Sequence, residues 1–128
     1  MLVTGKVIFV SFKDLEVYKR SYRLALKIHR FSLTLPKYLQ FDIADQIRRA
    51  SRSIPSDIAE AYARAKSNKD RANLLSDAIG SNEEMLFNLK FMKDTKLLDQ
   101  KRYAEWVSEY TVNGKQLFRL IESLKRKD

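Results

Sequence analysis

The sequence predicts an all-α protein, an antiparallel up-down-up-down four-helix bundle. Its 128 residues include only three Gly and two Pro, and a sheet protein of this size would need many more turn residues. Four long segments instead repeat apolar residues at the three- and four-residue spacing of an amphipathic helix. Because the segments between them are short, neighbouring helices are expected to run antiparallel around one core.

Capping residues and prolines set the limits of these helices. Ser11, Ser67 and Asp99 stand at N-cap positions, each just before an apolar periodic segment. Pro36 ends the first helix, whereas Pro55 lies inside the second and predicts a kink or a local break just before it. The predicted helices cover residues 13–35, 42–65, 68–93 and 100–125, within a bundle that spans residues 12–126.

The composition narrows the class of protein. Cysteine is absent, which excludes disulfides and thiolate metal sites and fits a reducing cytoplasm. No apolar run approaches the roughly 20 residues of a membrane span, so no membrane partner is expected. The apolar residues 7–10 lack the length and the cleavage site of a signal peptide, and residues 1–11 are interpreted as an extended N-terminal arm.

The first and third helices carry more apolar surface than one core can bury. A core-facing stripe covers about 100° of a helix. In the first helix, a stripe that contains Tyr18 and Tyr22 runs beside the stripe that contains Leu24 and Ile28. This excess predicts burial between subunits, and therefore an oligomer; the alternative is a bundle whose helices are simply more enclosed.

Four basic residues form a row along one face of the first helix. Spacings of three, four and three align Arg20, Arg23, Lys27 and Arg30, and the row contains no acidic residue. The whole chain has 25 basic and 16 acidic residues, a formal net charge of +9. A row of one sign is typical of a protein that binds a polyanion, so it predicts contacts with nucleic-acid phosphates; the alternative is an ordinary solvated face.

Further basic residues lie on the second helix and at the connections. Those interpreted as additional phosphate contacts are Arg48, Arg52, Lys66, Lys69 and Arg71. Other clusters surround the third connection and the C-terminus: Lys90, Lys93, Lys96, Lys101, Arg102, Lys125, Arg126 and Lys127. The chain has no zinc finger, no RNA-recognition signature and no convincing helix-turn-helix, so binding to RNA or DNA is expected to be weakly sequence-selective.

A polar row accompanies the apolar stripe of the second helix. Its members, spaced by three, four, four and three residues, are Gln46, Arg49, Ser53, Asp57 and Glu60. In the third helix, Gly80 is expected to permit close packing against the alanine-rich second helix. That packing would bring Glu83 or Glu84 near Arg49, in a polar network at the interior edge of the bundle. The alternative is that all these residues face solvent.

No catalytic pattern is present. The sequence has no nucleophile motif, no glycine-rich phosphate loop and no pair of metal-binding histidines. His29 is the only histidine, and its position beside Tyr18 and Tyr22 favours a packed or interface side chain over a catalytic one. We therefore expect no enzyme, no cofactor and no metal site.

Several motifs together resemble one known family. Residues 12–18 read FKDLEVY, residues 46–51 read QIRRAS, residues 53–60 read SIPSDIAE and residues 78–84 read AIGSNEE. In this order, with a proline inside the second helix, they resemble the four-helix-bundle family of the 23S rRNA intervening-sequence proteins. The resemblance covers roughly residues 12–124. Two positions depart from it, because Asp57 stands where the family usually has Asn and Ala61 where it usually has Gly.

The resemblance carries its own expectations. It implies a homopentamer, a barrel of five bundles around a central channel. It also implies kinship with the accessory variability determinants of diversity-generating retroelements, which bind RNA and DNA and associate with a reverse transcriptase. The expected function is thus a basic scaffold accessory to a reverse transcriptase. The alternative is an intervening-sequence protein that acts as a protein-interaction scaffold without a direct nucleic-acid role.

Overall fold

A computed structural model describes residues 11–127 of the protein. Four long helices make up most of this range. They are α1 (Glu16–Ser32), α2 (Ile43–Arg64), α3 (Asn68–Asp94) and α4 (Gln100–Lys127). Short 3-10 turns lie at Phe12–Asp14 and Lys37–Leu39, and the described part of the chain contains no strand. The predicted N-terminal arm lies, except for Ser11, outside the described residues.

The helices pack in chain order around one core. Helix α1 contacts α2, α2 contacts α3, α3 contacts α4, and α4 returns to contact α1. The all-helical prediction is confirmed, with four helices joined by short connections. The core contains the apolar stripe of each helix, including Leu24, Ile47, Leu89 and Leu117, which are all fully buried. Phe31 and Trp106 meet edge to face at 5.4 Å between ring centroids, which joins α1 to α4.

The limits of α1 are the main difference from the predicted helices. Ser11 accepts a hydrogen bond from the Lys13 amide at 3.2 Å, but it caps only the short 3-10 turn. Leu15 is extended, so α1 begins at Glu16 rather than at residue 13. It ends at Ser32, before Pro36 is reached, because the chain turns into the connection at that point. Helix α2, by contrast, continues through Pro55 as one helix, so of the predicted kink or local break the break is wrong and the kink stays a prediction.

Two predicted caps are present as expected. The Ser67 hydroxyl accepts a hydrogen bond from the Asp70 amide at 3.0 Å, which satisfies one free N–H in the first turn of α3. The Asp70 carboxylate in turn accepts from the Lys66 amide at 3.0 Å. At the start of α4, the Asp99 carboxylate accepts from the Arg102 amide at 2.8 Å. These bonds fix where the two long C-terminal helices begin.

A polar contact lies inside the bundle between α3 and α4. The buried Asn82 side chain donates a hydrogen bond to the Tyr110 carbonyl at 2.8 Å. A Cβ atom added at Gly114 would lie 3.2 Å from the same Asn82 nitrogen, so the glycine leaves room for the amide. The predicted close approach at Gly80 is wrong, because an added Cβ there would meet nothing within 4 Å. Gly114, rather than Gly80, is the glycine that permits close packing within the chain.

Replacement of the α3 cap tests this account of the helix start. Ser67→Ala should lower the free energy of unfolding by about 1 kcal/mol, because the Asp70 amide loses its acceptor. Ser76→Ala is the matched control, since Ser76 is an exposed serine within the same helix. Urea denaturation of both variants measures the difference, and an equal effect at the two positions would contradict the capping role.

Candidate nucleic-acid interface

Three of the four residues of the basic row remain available on the surface of α1. Arg23 and Arg30 are exposed and Lys27 is half-buried. None of the three forms an ion pair with another residue of the segment 11–127. Lys27 and Arg30 border a recess of about 370 Å³ that α4 completes with Arg102. We call Arg23, Lys27, Arg30 and Arg102 the α1–α4 edge.

Arg20 has a different environment from the rest of its row. Its Nε lies 3.1 Å from the Glu109 carboxylate of α4, and it also donates to the Gln116 side chain. Only 20 % of the Arg20 side chain is exposed. The sequence row contains no acid, but α4 supplies one in space, so Arg20 joins two helices and is not a free phosphate contact.

Arg48 is also committed to the fold. Its guanidinium donates to the Ser32 hydroxyl at 2.8 Å, to the Gln40 carbonyl at 2.8 Å and to the Gln40 side chain at 3.1 Å. The Gln40 amide donates in turn to the carbonyls of Ser32 and Leu35. Arg48 therefore ties α2 to the end of α1 and to the connection between them, and its predicted phosphate contact stays a prediction.

Arg71 holds the other end of α2. Its Nε donates to the Ala61 carbonyl at 3.3 Å, and its guanidinium carbon lies 4.7 Å from the centre of the Tyr62 ring. A cation at a helix C-terminus satisfies a free carbonyl and interacts favourably with the helix dipole. Lys66 and Lys69 are exposed at the same connection. Of the three basic side chains predicted here, that of Arg71 has a structural contact, whereas those of Lys66 and Lys69 form no ion pair with another residue of the described range.

Arg52 lies on another side of the bundle from the α1–α4 edge. It is exposed and borders a groove of about 790 Å³ between α1 and α2. Tyr22 and Leu26 of α1 line the same groove. His29, predicted to be packed or at an interface, is exposed and lines it as well. We call this feature the α1–α2 groove.

The predicted polar network does not form within one chain. Arg49 pairs with Asp45 on its own helix at 3.3 Å, and Glu60 pairs with Arg64 one turn further along. The Ser53 hydroxyl donates to the Arg49 carbonyl at 2.8 Å. The remaining partners, Gln46, Glu83 and Glu84, are exposed and form none of the predicted contacts with Arg49. Short pairs within α2 satisfy the row because residues four apart are neighbours on a helix.

Other kinds of site find no support in the described residues. No group of three or more His, Cys, Asp or Glu side chains within residues 11–127 could hold a metal ion. No helix in that same range is long and apolar enough to cross a bilayer. Arg102 stands apart from the basic row in the sequence, 72 positions after Arg30. Only the return of α4 to α1 brings the two together.

Comparison with known proteins places the chain in a family. Residues 13–119 match the family described as 23S rRNA-intervening sequence protein. The chain belongs to the 23S rRNA-intervening sequence protein family. A solved structure of a protein of unknown function from the S23 ribosomal protein family of Bacteroides thetaiotaomicron VPI-5482 is similar at 26 % identity and a TM-score of 0.73. The similarity covers 83 % of this chain and 95 % of that one. No curated protein matches the sequence.

Asp57 is the most perturbed acid in the described part of this intervening-sequence family member. Partial burial is the largest cause that raises the pKa of Asp57, and together with the nearby carboxylates of Asp77 and Glu60 it brings this pKa from 3.8 to about 6. The position that the family resemblance associates with a neutral amide thus holds a carboxylate in an unfavourable environment.

Replacement of Arg20 and of Arg23 in α1 tests which of the two contributes to the stability of the bundle. Arg20→Ala should lower the free energy of unfolding by about 1 to 2 kcal/mol, because Glu109 and Gln116 lose a charged partner at a half-buried site. Arg23→Ala is the matched control on the same helix and should change it by less than about 0.5 kcal/mol. Urea denaturation measures both values. A small loss at Arg20 would mean that its ion pair contributes nothing to the bundle.

Asp57 should make stability depend on pH. Between pH 3.8 and about 6 the folded protein retains a proton that the unfolded chain releases, so raising the pH through this window lowers the free energy of unfolding. Asp57→Asn should remove this slope. The variant should be more stable at pH 8 by about 1 kcal/mol, a value discounted for solvent screening, and the gain should shrink toward pH 4. If the difference in the free energy of unfolding between the parent and Asp57→Asn is the same at pH 4 and at pH 8, the assignment is contradicted.

Proposed function

We propose that this protein is a non-enzymatic, oligomeric scaffold that binds RNA or DNA through phosphate contacts at the α1–α4 edge. The observation that carries the proposal is the unbalanced charge of this edge. Arg23, Lys27 and Arg30 have no acidic partner within residues 11–127, in a chain of net charge +9. Phosphate backbones need several cations and tolerate imprecise geometry, which such an edge provides.

The surroundings of the edge favour backbone contacts over reading of bases. Trp106 borders the recess but is only 5 % exposed, so its ring is not free to stack on a base. Arg102 shares its charge with Asp99, at 3.2 Å, and Glu105 lines the same recess. These acids reduce the local positive potential. Binding should therefore be modest, sensitive to salt and weakly selective for sequence.

The family resemblance extends the proposal to partners. A ring of five copies would repeat the α1–α4 edge around one assembly and raise its total charge. A reverse transcriptase is the proposed protein partner, with the scaffold holding the RNA or DNA that the enzyme copies. Co-purification of the two proteins that survives nuclease treatment would support a direct contact, whereas loss of the complex with nuclease would mean that nucleic acid alone bridges them.

A second candidate is a protein-interaction scaffold with no nucleic-acid role. The exposed aromatic side chains favour it: Tyr38 is 80 % exposed, Phe41 98 % and Phe87 67 %. Side chains of this kind are common where proteins meet other proteins. In this alternative, the basic edge would be a solvated surface that keeps the protein soluble.

Charge reversal on α1 separates the two candidates. Arg23→Glu with Lys27→Glu should weaken binding to a single-stranded RNA of about 30 nucleotides by about tenfold or more, and should lower the log–log salt slope by about two. Lys115→Glu with Arg119→Glu is the matched control, because it changes the net charge equally at the α3–α4 side of the bundle. Fluorescence polarisation over about 50 to 300 mM salt measures both.

The control decides how the result is interpreted. Equal weakening by both double variants would show only a general effect of net charge and would remove the α1–α4 edge from the proposal. Absence of binding by the parent protein at the lowest salt would overturn the nucleic-acid function altogether. Circular dichroism should show the same helix content in all three proteins, since every substituted side chain is at least partly exposed.

A further inference from the structure

A recess of about 380 Å³ opens between α3 and α4. Ile79 and Leu86 of α3 and Phe118 of α4 provide its apolar walls. Because Ile79 and Leu86 are two helical turns apart, the α3 wall extends over about 10 Å. Recesses of this volume and with apolar walls bind small organic molecules in many proteins. We call this feature the α3–α4 recess.

A polar atom without a partner belongs to the floor of this recess. Asn82 lines the recess, although its side chain is fully buried. The Asn82 side-chain nitrogen donates to the Tyr110 carbonyl at 2.8 Å. Because a carbonyl can only accept, this bond fixes which end of the Asn82 amide is the nitrogen. The other end, Oδ1, is then a buried acceptor that no described residue satisfies, whereas buried polar atoms in native proteins usually have a partner.

Gly114 keeps the side chain of α4 away from this amide. Gly114 lines the recess, and an added Cβ would lie 3.2 Å from the Asn82 nitrogen. A glycine within a helix is unfavourable relative to alanine, so its presence here needs a reason. The reason within the fold is room for the amide. The same missing side chain leaves the amide uncovered on the side where the recess lies.

The rim of the α3–α4 recess carries more positive than negative charge. Lys115 and Arg119 lie one turn apart on α4, and Glu83 lies on α3. All three are exposed, and none forms an ion pair within the segment that the structure describes. Two cations beside one acid favour a ligand with an anionic group. Phe118, which is 58 % exposed, adds a free ring face next to them.

We propose that the α3–α4 recess binds a small aromatic carboxylate whose ring carries an N–H group. The ring packs against Phe118 and the apolar wall, and its N–H donates to Asn82 Oδ1. The carboxylate pairs with Lys115 and Arg119. Each part of such a ligand meets a group that the fold leaves without a partner. With about a dozen non-hydrogen atoms, the ligand should bind with a dissociation constant of about 0.1 to 1 mM.

This inference is independent of the proposed nucleic-acid function. The α3–α4 recess shares no residue with the α1–α4 edge. Single-stranded RNA should therefore not displace the aromatic carboxylate. Displacement by RNA would overturn the proposal, because the recess would then hold part of a nucleic acid.

A set of three probes tests the role of each ligand group without altering the protein. Indole-3-acetate has the ring, the N–H and the carboxylate, and it should shift the NMR signals of the Gly114 amide and the Asn82 side-chain amide. 1-Methylindole-3-acetate lacks the N–H, and indole lacks the carboxylate, so each should bind about tenfold more weakly. Failure of indole-3-acetate to shift these two signals at about 5 mM would overturn the proposal, since binding in the expected range would be nearly saturated. Equal affinity of the methylated probe would also overturn it, because Asn82 would then not accept the N–H.

Neutralisation of the rim tests the anion contact. Lys115→Gln with Arg119→Gln should weaken the binding of indole-3-acetate by about fivefold or more, because the carboxylate loses both cations. Lys125→Gln with Arg126→Gln is the matched control, since it removes the same charge from exposed positions on the same helix outside the recess. Isothermal titration calorimetry measures both, and circular dichroism checks that helix content is kept. Equal weakening by the two pairs would overturn the anion contact.

Removal of one aromatic ring tests the packing of the ligand. Phe118→Ala should weaken the binding of indole-3-acetate by about fivefold, because the ligand loses the ring face against which it packs. Phe41→Ala is the matched control, since Phe41 is 98 % exposed and lies outside the recess. The same calorimetric titration compares the two variants. Unchanged affinity in Phe118→Ala would overturn the proposed position of the ring.

Discussion

The bundle buries a single face of each helix, because four antiparallel helices around one core leave the rest of their surfaces outside. Leu24 and Ile28 occupy that face in α1, and their neighbours Tyr22 and Leu26 are left at its border. In α3 the same limit leaves Phe87 and Phe91 outside. The polar and charged side chains lie on the other faces of the helices. Their contacts therefore depend on which helix is adjacent to each of them.

The adjacent helices determine which basic side chains of this protein are paired and which are free. Arg20 and Arg23 are three residues apart on one helix, yet Glu109 of α4 binds the first and no described acid binds the second. Arg48 and Arg52 likewise differ by one turn, but the first is held by Ser32 and Gln40. A net charge of +9 therefore says little about where free positive charge lies. Contacts between elements thus engage Arg20 and Arg48 and leave Arg23 and Arg52 exposed.

Much of the fold could be predicted from local patterns, and most of the site could not. The apolar period located all four helices, and Ser67 and Asp99 marked where α3 and α4 begin. The start of α1 was missed because the extended Leu15 separates the Ser11 cap from the helix. Periodicity does not encode contacts between elements that are distant in sequence. Such contacts determine the partner of Arg20, the hydrogen bonds of Arg48 and the proximity of Arg102 to Arg30.

The amide of Asn82 fixes how α3 and α4 lie along each other. Most of the surfaces between these helices are apolar, and apolar surfaces alone would tolerate a slip by one helical turn of about 5.4 Å. Such a slip would carry Asn82 away from the Tyr110 carbonyl and from the space that Gly114 leaves, so a buried amide would lose its acceptor. The Asn82 side chain and the absent Cβ of Gly114 thus oppose a shift of α3 along α4.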